Sequence, residues 1–377
     1  MIKKPMKVLL TATVQSHICQ FHRPLVEVLH AHGCEVHVAA RDNLAEKNGL
    51  KLDFVDKVFD VPFARSPKSL DNLRAYRLLK KIIDEGNYDV IHCNTPMGGI
   101  VTRLAAQKAR RKGTKVIYTA HGFHFYRGAP KRNWLIFYPI EKFFAHLTDT
   151  LITITHEDFN LASGKFSCNV VHMHGVGVDE KRYYPVGREE QLKLRAELGF
   201  TPDQRILLCI GELLPNKNQK MAIHVIKEIV SKYPDAVLLL AGNGPEKDNL
   251  EAEISICGMN ANVKMLGYCT RLEKYQRITD VLLACSHREG LPLNIVEAML
   301  TAVPVVVSQN RGHRELVQSG VNGFIVSDEK EMAAKVLMLL QDDEIRVAIC
   351  NKAKISADYY NFSNVKREIE SIYFGME

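Results

Sequence analysis

Arg288-Glu289-Gly290-Leu291-Pro292-Leu293-Asn294-Ile295-Val296-Glu297 is the stretch that decides how we expect this chain to fold. The apolar run 280–285 before it has the length of a strand buried on both faces, and Pro292 suits a first helical position because its φ is already helical. The pattern therefore predicts a strand, a glycine turn and a helix. Such a junction presents helix N–H groups to an anionic ligand.

The two carboxylates of this stretch admit two interpretations. Glu289 lies in the predicted turn, and Glu297 lies more than one turn into the predicted helix. An anionic ligand alone would not favour Glu289, so one interpretation is that this carboxylate holds sugar hydroxyls. The other is that Glu289 is a charge at a helix N-terminus and Glu297 a solvated one. Spacing alone does not decide between them.

The rest of the chain alternates short apolar runs with amphipathic helical patterns, which predicts βαβ units and parallel sheets. The first unit of this pattern is a strand over residues 6–12, a polar turn over 13–20 and a helix over 21–32. Because the connections of parallel strands are right-handed crossovers, we expect a ligand site at the carboxyl ends of the strands.

The alternation lapses near Tyr184-Pro185-Val186-Gly187 and then resumes, and 377 residues are enough for two domains of ordinary size. We therefore place the first domain at residues 1–184 and the second at 185–360. A last helical pattern, over about 361–377, is expected to pack back on the first domain.

Composition favours a cytoplasmic protein. With 46% hydrophobic and 25% charged residues, the chain resembles an ordinary globular protein. Its longest apolar runs fall far short of the roughly 20 residues that a membrane-spanning helix needs, and the N-terminus lacks the apolar core of a signal peptide. Nine scattered cysteines without a C-x-x-C pair predict reduced thiols, and 15 histidines without an H-E-x-x-H pattern predict no metal site.

Charge is unevenly distributed along the chain. Residues 1–185 contain 27 Lys and Arg against 17 Asp and Glu, whereas the remaining residues contain 23 against 26. The basic half therefore favours an anionic partner. An anionic membrane surface and a diphosphate-bearing acceptor both fit, while the lack of a recognition helix or an RNP-like pattern argues against nucleic acid. A surface that only confers solubility fits this charge as well.

The segment Gly122–Trp134 and the aromatic helical pattern after it combine cations with apolar bulk, which suits docking at the inner face of a membrane. The other interpretation is a core stripe, since aromatic residues at helical spacing are more often buried. Pro139 predicts an interruption of this helix. Peripheral membrane contact through the basic first half thus stays an alternative.

Polar residues and glycines follow several predicted strands. In the first half they are His17, His22, Asn94-Thr95 and His121, and in the second half Gly211, Lys217, Gly242-Asn243-Gly244 and Gly267-Tyr268. Lys217 stands at a predicted helix start, where the macrodipole mildly disfavours a cation unless an anion is bound. A diphosphate-binding lysine is therefore one interpretation, and a solvated lysine is the other.

Together, the two α/β domains, the G-x-L-x-x-x-K pattern that ends at Lys217 and the glutamate pair resemble the retaining GT-B glycosyltransferases, a family that includes capsular and exopolysaccharide enzymes. The resemblance spans nearly the whole chain, and it includes His17, His121–His124, Gly177–Asp179 and Glu289–Leu293. It implies a fold of two Rossmann-like, doubly wound parallel-sheet domains that face each other across a cleft, the first for the acceptor and the second for the nucleotide-sugar.

The resemblance also implies roles for single residues. Glu289, with the N–H groups of Gly290 and Leu291, would hold hydroxyls of the transferred sugar, Glu297 the ribose, and Lys217 the diphosphate. His121 would contact the transferred sugar near its anomeric centre. The same resemblance implies further donor contacts from Gly211, Gly242, Gly267 and Tyr268, and an acceptor side with His17, His124 and Arg127.

One departure from the family pattern concerns the diphosphate. Many relatives carry arginine after the glycine of G-x-L, and this chain has Glu212 there. Arg314, Lys220 and Asn216 are the candidates for a substitute.

The resemblance implies a retaining transferase that moves a sugar from a nucleotide-diphosphate donor, a UDP-sugar, to a lipid-linked or oligosaccharide acceptor such as an undecaprenyl-diphosphate-linked sugar. A cation and a helix N-terminus at the leaving diphosphate would stabilise its growing charge, so we expect neither a metal nor another cofactor. The chain has no D-x-D pair that would chelate a metal. A UDP-sugar epimerase of the same fold and a non-catalytic protein that binds nucleotide-sugars or nucleic acid are the alternatives.

Overall fold

The computed structural model describes residues 5–47 and 49–375. Contacts within the chain divide it into two compact units: one runs up to Gly177 and resumes at Phe362, and the other is Val178–Asn361. Residues 178–184, which we placed in the first domain, fall in the second unit, where Val178 and Tyr183 are buried in the core. Residues 1–4, 48, 376 and 377 of the expected domains lie outside the described residues.

Within the described residues, seven parallel strands form the sheet of the first unit, in the order β3-β2-β1-β4-β5-β6-β7. They are β1 Lys7–Val14, β2 Glu35–Arg41, β3 Lys57–Asp60, β4 Val90–Asn94, β5 Lys115–Ala120, β6 Thr150–Thr153 and β7 Asn169–His172. Side chains of β1 alternate between two cores, since Val8 and Leu10 pack in one cluster and Leu9 in another. Both faces of this sheet are therefore covered.

Among the described residues of the first unit, seven α-helices lie between these strands along the chain. They are α1 Gln15–Phe21, α2 Arg23–Ala31, α3 Asp71–Gly86, α4 Pro96–Ala105, α5 Gln107–Arg110, α6 Lys131–Ala145 and α7 His156–Ala162.

Six parallel strands form the sheet of the second unit among its described residues, in the order β10-β9-β8-β11-β12-β13. They are β8 Ile206–Ile210, β9 Val237–Ala241, β10 Val263–Gly267, β11 Val281–Ala284, β12 Val305–Ser308 and β13 Phe324–Val326. The helices of this part of the chain are α8 Arg188–Glu197, α9 Gln219–Val230, α10 Lys247–Ile256, α11 Leu272–Ile278, α12 Leu293–Leu300, α13 Arg311–Leu316, α14 Glu329–Gln341 and α15 Asp343–Asp358.

Both sheets reverse their strand order beside their first strand, between β1 and β4 and between β8 and β11. This is the order of a doubly wound, Rossmann-like sheet, and ligands of such sheets bind at the carboxyl ends of the strands next to the reversal. The predicted pair of Rossmann-like α/β domains is therefore confirmed.

The last helix, α16 Phe362–Phe374, belongs to the first unit although it follows the whole second unit in the chain. Its buried residues Val365 and Ile369 share a core with β1 and α2, and Lys366 Nζ lies 2.7 Å from Glu27 Oε2 on α2.

Four local predictions differ from the structure. The polar turn over residues 13–20 is wrong, because β1 continues to Val14 and α1 follows at once with Ile18 buried. Helix α6 continues through Pro139, since the carbonyl that loses its partner belongs to Leu135, which is 77% exposed and open to water.

Pro292 precedes α12 as its N-cap, with ψ at 105°, and does not open the helix. Strand β3 was not predicted, because it is a four-residue edge strand with mostly exposed side chains and lacks a buried apolar run. No helix among residues 5–47 and 49–375 is both long and apolar enough to span a bilayer.

Candidate active site

Glycines join the ends of three neighbouring strands in the second unit. The N–H of Gly211, after β8, donates to Ala241 O at 3.0 Å, and the N–H of Gly242, after β9, donates to Gly267 O at 2.8 Å. A Cβ on Gly242 would lie 2.0 Å from Gly211 O, and Gly242 has φ +149°, so a larger residue does not fit there. Tyr268, the next residue after β10, is half-exposed.

Lys217 and Glu289 meet at the carboxyl ends of β8 and β11, on either side of the reversal in strand order. Lys217 ends a 3-10 turn, Pro215–Lys217, two residues before α9, and Glu289 lies in the loop between β11 and α12. Lys217 Nζ donates to Glu289 Oε1 at 2.6 Å, and the side chains are 26% and 15% exposed. The structure thus brings these two predicted site residues together as a half-buried ion pair.

Two hydrogen bonds join the two loops that carry this pair. The N–H of His287 donates to Asn216 O at 2.8 Å, and Asn216 Nδ2 donates to Arg288 O at 2.9 Å. The residues just before Lys217 and just before Glu289 are therefore tied to each other. This arrangement keeps the two loops that carry the charged side chains next to each other.

The first turn of α13, the helix after β12, packs against the same turn. A Cβ on Gly312 would lie 2.5 Å from Gly290 O and 2.7 Å from Glu289 Cβ, so this approach requires glycine. The side chain of Asn310 caps α13 by accepting from the N–H of His313, and its amide donates to Ser286 O at 2.8 Å. Gly290 therefore packs against the first turn of α13 within its own unit.

His313 is a buried residue of this site to which the sequence assigned no role. Its Nδ1 lies 2.6 Å from Ser308 O, which can only accept, so Nδ1 carries the proton. Burial is the main cause that lowers the pKa of His313, while the nearby Glu289 raises it and Lys217 lowers it. A neutral histidine is therefore buried near the Lys217–Glu289 pair.

Glu297 lies on α12, where it is half-buried and accepts from Gln276 Nε2 at 3.2 Å. Burial raises the pKa of this carboxyl to about 7, against the opposing hydrogen bonds from Gln276 and Tyr183. Gln276 and Tyr183 lie in amphipathic or hinge segments that carry no motif, so the sequence did not reveal them. A carboxyl with a pKa perturbed mainly by burial is typical of a functional site.

Two of the three candidates for a substitute at the diphosphate have other partners. Lys220 Nζ lies 2.8 Å from Glu253 Oε2 on α10, and the amide of Asn216 is bound to Arg288 O. Arg314 lies on α13 with an exposed side chain. Arg314 follows Gly312, the glycine that packs against Gly290 O, by two residues on α13.

His17 and His121 meet in the first unit, at the carboxyl ends of β1 and β5. His17 lies on α1, and its Nε2 is 3.3 Å from His121 Nε2, which is also 3.2 Å from Asn94 Oδ1. Burial lowers the pKa of His121 to about 4, and burial followed by the proximity of His121 lowers the pKa of His17 well below its usual value. Both imidazoles are therefore neutral at pH 7.

A pocket of 640 Å³ opens beside these histidines in the first unit. Its walls are mostly apolar, with Met97, Phe123 and Phe137 among them, and its polar groups include His17, Arg65, His124 and Glu141. The His124 ring stacks on Phe137 at 4.7 Å. Arg127 lies in an exposed loop, and its backbone N–H donates to Glu157 Oε1 at 2.8 Å. Arg65, to which the sequence assigned no role, lines the pocket.

Comparison with known proteins identifies the family. The profile described as "Glycosyltransferase Family 4" matches residues 23–181, and the profile described as "Glycosyl transferases group 1" matches residues 190–356. EpsD of Bacillus subtilis (strain 168), which is named provisionally as a glycosyltransferase, is 39% identical over 371 residues, which cover 97% of this chain and 96% of EpsD. The Escherichia coli protein named UDP-Gal:alpha-D-GlcNAc-diphosphoundecaprenol alpha-1,3-galactosyltransferase is 26% identical over 346 residues, which cover 88% of each chain.

Solved structures agree on the fold. Anabaena Alr3699/HepE in complex with UDP and glucose has a TM-score of 0.77 at 22% identity, with 98% of this chain and 100% of that chain covered. WaaG, a glycosyltransferase involved in lipopolysaccharide biosynthesis, has a TM-score of 0.75 at 15% identity, with the same coverage. The chain is therefore a group 1 glycosyltransferase, an enzyme with the two Rossmann-like domains of the GT-B fold.

Proposed function

We propose that this glycosyltransferase takes its sugar from a UDP-sugar and transfers it, with retention of anomeric configuration, to a lipid-linked or oligosaccharide acceptor in surface polysaccharide synthesis. The observation that carries the proposal is the contact of 2.6 Å between Lys217 and Glu289 at the reversal of the second sheet. The names of relatives support the finer choices, since one Anabaena complex contains UDP and the Escherichia coli relative uses UDP-Gal and a diphosphoundecaprenol-linked acceptor.

The Lys217–Glu289 pair suits a donor that carries both phosphates and hydroxyls. The ammonium of Lys217 turns from Glu289 to the diphosphate, and Glu289, released from its cation, accepts from hydroxyls of the sugar. Negative charge grows on the diphosphate as the glycosidic bond breaks, so a fixed cation there lowers the barrier. In this mechanism the lysine supplies the charge, and the reaction needs no divalent metal.

The neighbouring groups complete the proposed donor site. The N–H groups of Gly290 and Leu291 contact the transferred sugar, and Glu297 exchanges its bond from Gln276 for the hydroxyls of the ribose. Gly211, Gly242 and Gly267 let the donor approach the ends of their strands closely, and Tyr268 presents a half-exposed ring beside them. Arg314 is the proposed second cation.

The first unit is proposed to bind the acceptor. His121 contacts the transferred sugar near the anomeric carbon as a neutral hydrogen-bonding group, because its pKa is lowered to about 4. The pocket of 640 Å³ places apolar walls next to His17 and His124, a combination that suits a lipid chain attached to a polar head. Arg127 at the exposed loop is proposed to meet the phosphates of that head.

Helix α6 is the proposed site of peripheral membrane contact, at the inner face of the cytoplasmic membrane. Leu135, Ile136 and Phe143 are 77%, 51% and 60% exposed, and the cations Lys131, Arg132 and Lys142 of the same helix are exposed as well. Apolar side chains flanked by cations suit an anionic bilayer surface.

A transfer assay tests the proposed reaction. The protein is incubated with each of a panel of UDP-sugars and an undecaprenyl-diphosphate-linked sugar, and the products are separated and their linkage is determined by NMR. We expect one donor to give a lengthened lipid-linked product that keeps the donor's anomeric configuration. An inverted linkage, a new epimer formed without acceptor, or transfer from GDP-sugars alone would contradict the proposal.

A further inference from the structure

Three histidine rings cluster at the strand ends of the first unit. His17 Nε2 lies 3.3 Å from His121 Nε2, and the His22 ring centroid lies 5.3 Å from that of His17 and 5.9 Å from that of His121. One nitrogen of each of the three rings lies within 4.8 Å of the others. His22 is 4% exposed, and its Nε2 has no hydrogen-bond partner in the described structure.

One of these separations, between His17 Nε2 and His121 Nε2, matches two ligands of a small metal ion. Imidazole nitrogens bind Zn²⁺ at about 2.0–2.1 Å in tetrahedral geometry, which sets two ligand nitrogens about 3.3–3.4 Å apart. The His17–His121 pair has this spacing already. A nitrogen of His22 lies within 4.8 Å of the other two, so the site closes on an ion when the His22 ring moves toward the pair.

The chemistry of the cluster also suits a metal. A neutral imidazole offers a lone pair on the nitrogen that carries no proton, and this is the form that binds a metal. His17 and His121 are only partly buried, so an ion can enter and a water can complete its coordination. With nitrogen as the donor atom, the site favours Zn²⁺, Co²⁺ or Ni²⁺ over Mg²⁺ and Ca²⁺, which prefer oxygen.

We propose that His17, His22 and His121 form a binding site for a divalent transition metal such as Zn²⁺, and that a metal bound there inhibits transfer. The inhibition rests on the proposed function, because His121 cannot contact a sugar while its Nε2 binds a metal. His121 Nε2 donates to Asn94 Oδ1 at 3.2 Å, so this nitrogen carries the ring proton. A metal needs the lone pair of Nε2, so metal binding requires the proton to lie on Nδ1. The metal is thus a regulator of the site and not its cofactor.

Metal binding is measured first, without any enzyme assay. Untagged protein is titrated with Co²⁺, and the visible absorption of four-coordinate Co²⁺ is recorded. Zn²⁺ is then added, and loss of this absorption shows that Zn²⁺ displaces Co²⁺ from the site. Since loss of an outer partner of a metal-bound imidazole already costs roughly 10- to 100-fold in affinity, His17→Asn and His121→Asn should each weaken binding at least about 100-fold.

His224→Gln is the matched control, because His224 belongs to a different potential metal cluster with Glu253 and Cys257. It should leave the Co²⁺ spectrum unchanged. His22→Gln provides a third test of the cluster. Because His22 is buried, His22→Gln can impair folding, and His17→Asn is the variant that tests the site without this risk. Equal Co²⁺ spectra in wild type and His17→Asn, or loss of the spectrum only in His224→Gln, would overturn the metal site.

Inhibition is measured second, as the ratio of each variant's transfer rate with and without Zn²⁺. Zn²⁺ should inhibit the wild type and the His224→Gln variant equally, and EDTA should restore the rate, whereas His22→Gln should resist Zn²⁺. A Co²⁺ spectrum with no inhibition by Zn²⁺ would overturn the regulatory role and leave the metal site. Failure of all transfer would count against the proposed function, whereas the Co²⁺ spectrum tests the metal site independently.

Discussion

Replacing Lys217 with alanine is the sharpest test of the proposed donor site. The ammonium of Lys217 lies 2.6 Å from Glu289 Oε1, with 26% and 15% of the two side chains exposed, so it occupies a half-buried position next to the strand ends. A hydrogen bond to a charged group contributes about 1.5–3 kcal/mol, and each 1.36 kcal/mol is a tenfold change in rate. We therefore expect Lys217→Ala to lower kcat/KM for the UDP-sugar roughly 10- to 150-fold.

The assay is initial-rate kinetics with the donor varied at a fixed acceptor concentration. Lys217→Arg keeps the charge and should recover part of the loss. Lys220→Ala is the matched control, because it also removes an ion pair, the contact of 2.8 Å with Glu253, but in an exposed position on the next turn. Rates for Lys217→Ala within twofold of wild type, or an equal loss in Lys220→Ala, would refute the diphosphate role.

Four further outcomes follow from the structure. Burial raises the pKa of the Glu297 carboxyl from 4.5 to about 7, so between these pH values the folded state holds a proton that the unfolded state has lost. The free energy of unfolding should therefore fall as the pH rises through this window. In urea unfolding at pH 4.5 and pH 8, Glu297→Gln should reduce the difference between the two stabilities by up to about 3 kcal/mol. Gly242→Ala should lower the free energy of unfolding by more than about 2 kcal/mol, since its Cβ would lie 2.0 Å from Gly211 O, while Gly187→Ala, which meets open space, should be nearly neutral. Leu135→Asp with Phe143→Asp should abolish sedimentation with anionic vesicles and keep transfer to a water-soluble acceptor; unchanged sedimentation would exclude α6 as the contact. Transfer should persist in excess EDTA, and a loss that only added Mg²⁺ or Mn²⁺ reverses would contradict the metal-free mechanism.

The fold was largely predictable because buried parallel strands have a strong sequence signal. Runs such as 237–241 are apolar at every position, since helices cover both faces of the sheet, and each run stops at a glycine or a polar residue. Edge strand β3 lacks that signal. It is short and exposed, and its pairing with β2 depends on residues far from it in the chain.

The site was predictable where a motif fixed a loop and unpredictable where packing brought distant residues together. The spacing within 288–297 placed Glu289 in a turn beside a strand end. Its contact with Lys217, 72 residues earlier in the chain, arises because β8 and β11 are neighbours in the sheet. His313 and Gln276 join the site only through tertiary packing, and no pattern in their own segments distinguishes them from ordinary polar residues. Arg65 likewise reaches the pocket of the first unit from a loop without a motif.

The chain passes between its two units at Gly177/Val178 and again at Asn361/Phe362, and this has a consequence for biosynthesis. The N–H of Val178 donates to Tyr360 O at 2.9 Å, so the second unit begins and ends at one place and is a single insertion into the first. During vectorial synthesis, the ribosome completes Val178–Asn361 before it makes α16, whose Val365 and Ile369 fill the core beneath β1. We therefore expect the second unit to fold first, while the N-terminal segment, which is synthesised earlier, folds fully only once its last helix has been made.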